Sequence, residues 1–422
     1  MNEAVGRSPL AVGREHSQQP TAIGQRSLLI LLLFLAPRVA LLFVRQPFFD
    51  ELFTRWISGQ SFAGILHALH FDSGPPLYYF IIHALGDPTL LIIRAISLCF
   101  AAIALVALLV SRRFTAAALL AVFPPAVLFA VDARSYALCA MFVTLGVLAL
   151  DTERPVAAAL AFVAAAYSHY YGALFFPLVF FRGRLKPALT LLLFLPGLWL
   201  ALHQPRASMA WIGGFPQYPD ALFVRAPLIL AILAAVVSIA AAVHLNRFAT
   251  MALIPLAAAF ALGIYFPLRF EAVIAAPLAL WLATSLQRWS PAARRGLLAA
   301  LLTIGGAICV IGIVDHRLRP MDDYHAAARY LAGVVKPDDT VVATGYLYLE
   351  AIDQLGERVA AFPAEQAQHP GWRAVAPPGS KLPDGTFLWI GERAAPELSL
   401  IRSARSIQLL YGNHRAIVAR VR

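Results

Sequence analysis

Between Ser27 and Val314 the sequence is a succession of apolar runs, many of them about as long as a membrane-spanning helix, separated by short polar breaks. A helix needs about 20 apolar residues to cross a bilayer, and irregular backbone cannot face lipid. Only 14% of the residues are charged, against about 25% in typical soluble proteins. The sequence therefore excludes a soluble multidomain protein. It predicts an all-α polytopic membrane protein with about 11 transmembrane helices, in a range of about 11–13.

The predicted crossings begin with Ser27–Val44. The next apolar region, Pro75–Val110, is interrupted at Gly86–Pro88 and must cross an odd number of times if the break after it is cytoplasmic. The other runs are Thr115–Val131, Tyr136–Leu150, Pro155–Ser168, Gly172–Phe181, Pro187–Leu202, Ala226–His244, Thr250–Phe266, Ala272–Gln287 and Gly296–Val314. Several are short, so we expect these to be tilted or packed within protein.

The breaks divide into two alternating sets. Breaks rich in Lys and Arg stay in the cytoplasm, and they are Arg112–Arg113, Glu153–Arg154, Arg182–Lys186, His244–Arg247 and Arg288–Arg295. The other set carries aromatic residues, prolines and acids, and its members are Pro47–Pro76, Asp132–Tyr136, Ser168–Tyr171, His203–Arg225 and Pro267–Glu271. The pattern predicts a multi-pass protein of the cytoplasmic (inner) membrane, with the N-terminus inside and the C-terminal region outside.

This orientation divides the chain into three parts. Residues 1–26 form a cytoplasmic tail, residues 27–314 a transmembrane domain and residues 315–422 an extracytoplasmic α/β domain. The first outer loop, residues 46–76, has helix-like apolar spacing typical of helices on a membrane surface. In the last part, a helix is predicted over Met321–Val335, and alternating residues predict the strands Thr340–Thr344, Thr386–Ile390, Ser406–Tyr411 and Ala416–Val421.

Several function classes are excluded by missing patterns. The net charge of +11 is scattered among apolar runs, which argues against nucleic acid as a partner. No paired-cysteine metal site, HExxH motif or nucleotide-binding glycine motif is present, and the three cysteines lie in apolar runs. The sequence therefore predicts no metal ligand among the site residues. It leaves open whether a divalent cation is a cofactor. A lipid-borne substrate is the natural partner of an outward-facing membrane site.

The outward breaks hold the candidate residues. Asp50 and Glu51 follow the first span, where a carboxylate between water and apolar protein can serve as a general base; they could equally mark a helix end. The other outward breaks supply Asp132, Arg134, Tyr136, His169, Tyr170, Arg269 and Glu271. Arginines beside carboxylates suit an anionic phosphate, although internal pairing of Arg134 with Asp132 or of Arg269 with Glu271 remains an alternative.

Several segments together resemble a known family. They are FFDELFTRW followed by DSGPPLYYF, then DARSYAL, AYSHYYGALFF, FPLRFEAVIAAPLAL and DYHAAARYLAGVVKPDDTVV. In this order they are similar to the bacterial membrane glycosyltransferases of family 39, GT-C fold relatives of the protein O-mannosyltransferases and of the aminoarabinose transferase of lipid A. One departure is Gly74, where many relatives carry a histidine. Any ligand or phosphate role of that histidine is either lost here or moved elsewhere, for example to His67 or His70.

The resemblance implies transfer of a sugar from a polyprenyl-phosphate donor to an extracytoplasmic acceptor, with inversion. It implies Asp50 as the general base, with Glu51 beside it. The positions implied to bind substrate are Asp72, Tyr78, Arg134, Tyr136, His169, Tyr170 and Arg269. The alternatives are a transporter or flippase of lipid-linked saccharides and a non-catalytic assembly subunit.

Overall fold

The computed structural model describes residues 15–45, 47–180, 185–205, 245–318, 324–343, 345–356, 359–361, 382–391, 407–412 and 416–421. The first helix, α1 (Glu15–Val44), begins well before the predicted start at Ser27. Polar residues continue the helix beyond its apolar part, Gly24–Val44, whose 21 residues are long enough to cross a bilayer.

The rest of the membrane region is a chain of mostly short helices. In order they are α2 (Phe49–Ser58), α3 (Phe62–Leu69), α4 (Leu77–His83), α5 (Leu90–Val110), α6 (Phe114–Val122), α7 (Pro124–Leu128), α8 (Tyr136–Asp151), α9 (Pro155–Ser168), the 3-10 helix Tyr170–Phe175, α10 (Pro177–Phe180), α11 (Leu185–Thr190), the 3-10 helix Leu191–Phe194, α12 (Leu195–His203), α13 (Arg247–Ala261), α14 (Arg269–Val273), α15 (Ala275–Leu286) and α16 (Pro291–Leu318).

In the described part of the chain, four helical stretches are long and apolar enough to span a membrane: Gly24–Val44, Leu90–Val110, Leu185–His203 and Pro291–Val314. Apolar helices of 10–17 residues occupy five further predicted runs. The predicted run Ala226–His244 lies outside the described residues. The mostly helical membrane fold is confirmed, and the count of about 11 crossings stays a prediction.

The region Pro75–Val110 contains only one helix of spanning length. Helix α4 has 7 residues, or roughly 10 Å of helix at 1.5 Å per residue, which is too short to cross. Helix α5 has 21 residues and begins at an N-cap, because the hydroxyl of Thr89 accepts a hydrogen bond from the backbone N–H of Ile92. The structure therefore favours a single crossing here.

A buried arginine stabilises the break between α6 and α7. Pro124 and Pro125 begin α7, and proline lacks the N–H that a continuous helix needs. The guanidinium of Arg38, completely buried on α1, donates to the carbonyls of Ala121 at 2.8 Å and Ala126 at 3.1 Å. These hydrogen bonds satisfy the carbonyls at the break inside the apolar interior. They therefore hold α7, and the chain that continues from it to α8, in a fixed position.

The C-terminal region contains a small sheet. Its elements are α17 (Tyr324–Val334), β1 (Val341–Ala343), α18 (Gly345–Leu355), β2 (Val359–Ala361), β3 (Phe387–Gly391), β4 (Ile407–Gly412) and β5 (Ala416–Val421). The strand order is β2-β1-β3-β5-β4. Strand β1 pairs in parallel with β2 and β3, whereas β5 is antiparallel to β3 and β4. All four predicted strands are present, and the prediction missed β2, whose three residues are too few to show alternation.

The sheet does not stand apart from the outer loop. One cluster of buried residues joins Leu52, Phe53 and Ile57 of α2 to Leu347 of α18 and Trp389 of β3. Helices α2 and α18 are in direct contact. The helix that carries the candidate acids is therefore held between the membrane helices and the C-terminal region.

Candidate active site

Helix α2 presents two neighbouring acids to different surroundings. Asp50 and Glu51 lie in its first turn, where the helix dipole favours negative charge. Their side chains point about 100° apart around the helix axis, as successive helical residues do. The side chain of Asp50 is 23% exposed, whereas Glu51 is completely buried. The same turn thus supplies one carboxylate that a ligand can reach and one that it cannot.

Glu51 is held by a bidentate ion pair. The Nε of Arg94 donates to its Oε1 at 2.8 Å, and Nη2 of the same arginine pairs with Oε2. The backbone N–H of Ala133 also donates to Oε1 at 2.9 Å. Both oxygens are therefore engaged, so the predicted catalytic role of Glu51 is less favoured by the geometry than a role in fixing α2 against α5 and the loop before α8.

A second buried ion pair lies beside the first. Arg45, just after α1, pairs with Asp132, and both side chains are nearly inaccessible. Burial raises the pKa of Asp132, although the Arg45 guanidinium opposes this shift. Asp132 pairs with Arg45, and the alternative pairing of Arg134 with Asp132 is not found among the described contacts.

Asp50 pairs instead with an arginine far along the chain. Its Oδ2 lies 3.1 Å from Nη2 of Arg269, the first residue of α14. The other terminal nitrogen of Arg269 donates to the hydroxyl of Tyr136 at 3.0 Å. Glu271, which the sequence offered as a partner of Arg269, accepts a hydrogen bond from the hydroxyl of Tyr265. The guanidinium thus bridges the start of α2 and the start of α8.

Arg134 supplies a second cation on the same side of Asp50. Its Nη1 donates to the backbone carbonyl of Asp50 at 3.4 Å and to the hydroxyl of Tyr79 at 3.1 Å. In the described part of the chain both hydrogen-bonding partners of Arg134 are neutral groups. Among these residues, no carboxylate that is hydrogen-bonded to Arg134 neutralises its positive charge.

The two arginines set the charge state of Asp50. Burial raises the pKa of this carboxyl, but the guanidiniums of Arg134 and Arg269 more than offset the effect and hold the pKa below its usual range. Asp50 is consequently ionised at neutral pH, which is the form that a general base requires.

His169 is a neutral neighbour of this cluster. Burial and the positive charges of Arg134 and Arg269 lower the pKa of its imidazole to about 3. Its Nδ1 accepts a hydrogen bond from the backbone N–H of Tyr171 at 3.2 Å, so the ring proton is on Nε2. The ring lies 5.0 Å from that of Tyr136, measured between centroids. His169 can therefore donate one hydrogen bond without adding charge.

The other predicted substrate-binding residues lie around this centre in different ways. Asp72 is half-buried and lies within electrostatic range of Arg134. Tyr78 is completely buried and its hydroxyl bonds that of Ser97 at 2.8 Å. The structure thus places Tyr79, and not Tyr78, against Arg134. The sequence pattern of the two adjacent tyrosines is also typical of an interfacial aromatic belt. It contains no signal that shows which of the two contacts the site.

Tyr170 belongs to a group of hydrogen bonds centred on Gln204, which the sequence did not reveal. Its hydroxyl donates to Oε1 of Gln204 at 3.0 Å, and Nε2 of Gln204 donates to the carbonyls of Leu69 and Gly74 at 2.8 and 2.9 Å. Gln204 thereby ties the first outer loop to the segment after α9. His67 and His70, the suggested replacements for a histidine at position 74, are exposed side chains.

The structure assembles Asp50, Arg134, Tyr136, His169 and Arg269 from separate stretches of sequence. Each comes from a break predicted to face outwards, which explains why distant positions converge. Among the described residues, no group of three or more His, Cys, Asp or Glu is placed to hold a metal ion.

The chain shares the fold of ArnT. It is similar to the crystal structure of ArnT from Cupriavidus metallidurans in the apo state, with a TM-score of 0.56 and 14% identity over 96% of this chain and 98% of that one. ArnT from the same organism bound to undecaprenyl phosphate gives a TM-score of 0.55 and 15% identity, over 95% and 97% of the two chains. No protein-family model and no curated protein matches the sequence. The predicted GT-C type of fold is confirmed, while the family assignment stays a prediction.

The arrangement suits a reaction in which one group loses a proton and negative charge develops on another group. An ionised carboxylate lies beside two guanidiniums, and arginine matches the geometry of phosphate oxygens. The hydroxyls of Tyr79 and Tyr136 accept hydrogen bonds from the arginines and retain their own protons for a ligand.

Proposed function

We propose that the protein is a membrane glycosyltransferase. It moves a sugar from a polyprenyl-phosphate donor to an extracytoplasmic acceptor that is a lipid, glycan or protein, with inversion at the anomeric carbon. The observation that carries the proposal is the accessible Asp50 carboxylate, which lies 3.1 Å from Arg269 and is flanked by Arg134.

The donor class is supported by the charge of the site and by the fold. Cleavage of the anomeric bond develops negative charge on the departing phosphate, and preorganised cations stabilise such charge. Arg134 and Arg269 provide two cations, of which Arg134 has only neutral hydrogen-bonding partners among the described residues. A chain with the same fold, ArnT, is known bound to undecaprenyl phosphate.

In the proposed step, Asp50 accepts the proton of an acceptor hydroxyl. The hydroxyl oxygen forms a bond to the anomeric carbon while the bond from that carbon to the phosphate oxygen breaks. The electron pair of the broken bond stays on the phosphate, which leaves as polyprenyl phosphate beside the arginines. A single displacement of this kind inverts the anomeric configuration, since the acceptor attacks opposite the leaving oxygen.

Mass spectrometry of lipid-linked sugars tests the proposal whichever sugar the donor carries. Membranes that contain the wild-type protein, no protein or Asp50→Asn are compared, with Asp87→Asn, an exposed residue between α4 and α5, as the control. We expect a polyprenyl-phosphate sugar to accumulate without the protein and with Asp50→Asn, and to be consumed with Asp87→Asn. If no such lipid changes, or if Asp50→Asn consumes it as the wild type does, the proposal is wrong. The second result would favour a transporter or an assembly subunit.

A further inference from the structure

Three ion pairs surround the first turn of α2 in the described residues, and they differ in accessibility. The side chains of Arg45 and Asp132 are 7% and 1% exposed, and those of Arg94 and Glu51 are 5% and 0% exposed. Those of Arg269 and Asp50 are 21% and 23% exposed. A ligand that enters the site can therefore reach the third pair and exchange its partners.

The backbone before Arg269 is strained. Leu268 adopts φ 69° and ψ −46°, close to the γ-turn of positive φ that residues with a β-carbon rarely adopt. Backbone strain of this kind persists where the surrounding structure enforces it and is concentrated at ligand clamps and switch regions. Here it precedes the arginine whose guanidinium crosses to Asp50. The orientation of Arg269 is thus maintained at a local conformational cost.

One edge of Arg269 is anchored and the other is exchangeable. Nη1 bonds the hydroxyl of Tyr136, a fixed part of α8, whereas Nη2 bonds Oδ2 of Asp50. Resting on the glycosyltransferase function above, we propose that the donor phosphate displaces Asp50 from Arg269, so that Asp50 becomes an effective base only after the donor has bound.

The physical reason is competition between two anions for one cation. While Asp50 is paired with Arg269 it is a weak base, since the guanidinium stabilises its ionised form. A phosphate that takes the same N–H group removes that stabilisation and adds a negative charge nearby, and both changes raise the proton affinity of Asp50. The charged and titratable groups that act on Asp50 are Arg45, Arg134, Arg269, Tyr79 and Tyr136. Asp72 acts on Arg134, Asp132 acts on Arg269, and the neutral His169 lies near both arginines.

This exchange orders the reaction. Without donor, the ionised Asp50 carboxylate has too low a proton affinity to deprotonate a hydroxyl. With donor bound, Asp50 takes the proton of the acceptor hydroxyl, the new glycosidic bond forms and the phosphate leaves with the electron pair of the broken bond. When polyprenyl phosphate departs, Asp50 releases the proton to water and its carboxylate pairs with Arg269 again.

Difference infrared spectroscopy of the full-length protein in detergent tests the exchange directly. The probe is undecaprenyl phosphate, added to protein labelled with ¹³C-aspartate. The Asp50 contribution is the labelled carboxylate signal that Asp50→Asn abolishes and Asp87→Asn retains. We expect undecaprenyl phosphate to shift this carboxylate band, because Asp50 loses its hydrogen bond from Arg269.

Binding affinity gives a second measurement. Because linkage is reciprocal, removal of the competing carboxylate strengthens phosphate binding. We expect Asp50→Asn to bind undecaprenyl phosphate about tenfold more tightly than wild type, within the range typical of coupled sites. Asp72→Asn, which removes a nearby charge not hydrogen-bonded to Arg269, controls for general electrostatics and is expected to have a smaller effect.

The outcomes separate the exchange from the proposed function. Binding with a shifted Asp50 band and a larger gain for Asp50→Asn than for Asp72→Asn supports the exchange. Binding with an unchanged band, or with equal gains for the two variants, overturns the exchange and leaves the glycosyltransferase proposal intact. Absence of binding to the wild-type protein overturns both.

Discussion

Arg94 forms a buried bidentate ion pair with Glu51, the residue next to the proposed base. The pair joins α5, a helix of spanning length, to the first turn of α2 and so fixes the rotation of the turn that presents Asp50. Removal of one partner of a buried ion pair is strongly destabilising, at about 3–5 kcal/mol, because the other charge is left without compensation.

We therefore expect Glu51→Gln and Arg94→Met each to lower the unfolding temperature of the purified protein, while the double variant recovers part of the loss. Thermal unfolding in detergent measures the stability, and consumption of the lipid-linked donor measures the activity. If Glu51 were itself the proton acceptor, Glu51→Gln would abolish turnover at temperatures where the variant remains folded. If the double variant recovered none of the stability, the ion pair would not account for the loss.

The neighbouring tyrosines Tyr78 and Tyr79 provide a matched comparison. The hydroxyl of Tyr79 accepts from Arg134, whereas that of Tyr78 bonds Ser97. A hydrogen bond to a charged group contributes about 1.5–3 kcal/mol. Tyr79→Phe is expected to lower donor turnover about tenfold or more, and Tyr78→Phe is expected to change it little. Steady-state rates on native membranes measure both, and equal losses would contradict a specific contribution of Tyr79.

The elements that the sequence predicts well are those set by local pattern. The helix Pro155–Ser168 has the predicted bounds, because a proline at its first turn begins it. The convergence of Asp50 with Arg134 and Arg269 could also be predicted from the sequence, because all three lie in breaks predicted on one side. The ion pairs within the site could not be predicted, since adjacency in sequence suggested Arg134 with Asp132 and Arg269 with Glu271. Asp132 pairs with the distant Arg45 and Arg269 with the distant Asp50, and no local pattern reports such long-range contacts.

His169 predicts a dependence of stability on pH. Its pKa is lowered to about 3 by burial and by two nearby arginines, whereas an unfolded chain protonates histidine near its ordinary value of about 6.5. The stabilisation is therefore fully present above pH of about 6.5 and is lost as the pH falls towards about 3, because the unfolded state binds the proton first.

We expect His169→Gln to reduce the fall in unfolding temperature between neutral pH and about pH 5. His67→Gln removes an exposed histidine instead and is the control, with an expected pH dependence like that of the wild type. Thermal unfolding in detergent across this pH range measures both. An undiminished fall in His169→Gln would show that the imidazole is not held neutral in the folded protein.

The contact between α2 and α18 predicts that the C-terminal region stabilises the helix that carries the base. Leu347 of α18 is completely buried and belongs to the cluster that contains Ile57 of α2. A buried leucine replaced by alanine costs about 2–5 kcal/mol. Leu347→Ala is expected to increase hydrogen exchange in peptides that cover residues 47–60 and to lower donor turnover. Leu409→Ala, on the exposed side of β4, is the matched control and is expected to do neither. Unchanged exchange over α2 in Leu347→Ala would mean that the membrane helices alone hold Asp50 in place, which would leave the C-terminal region without a part in positioning the base.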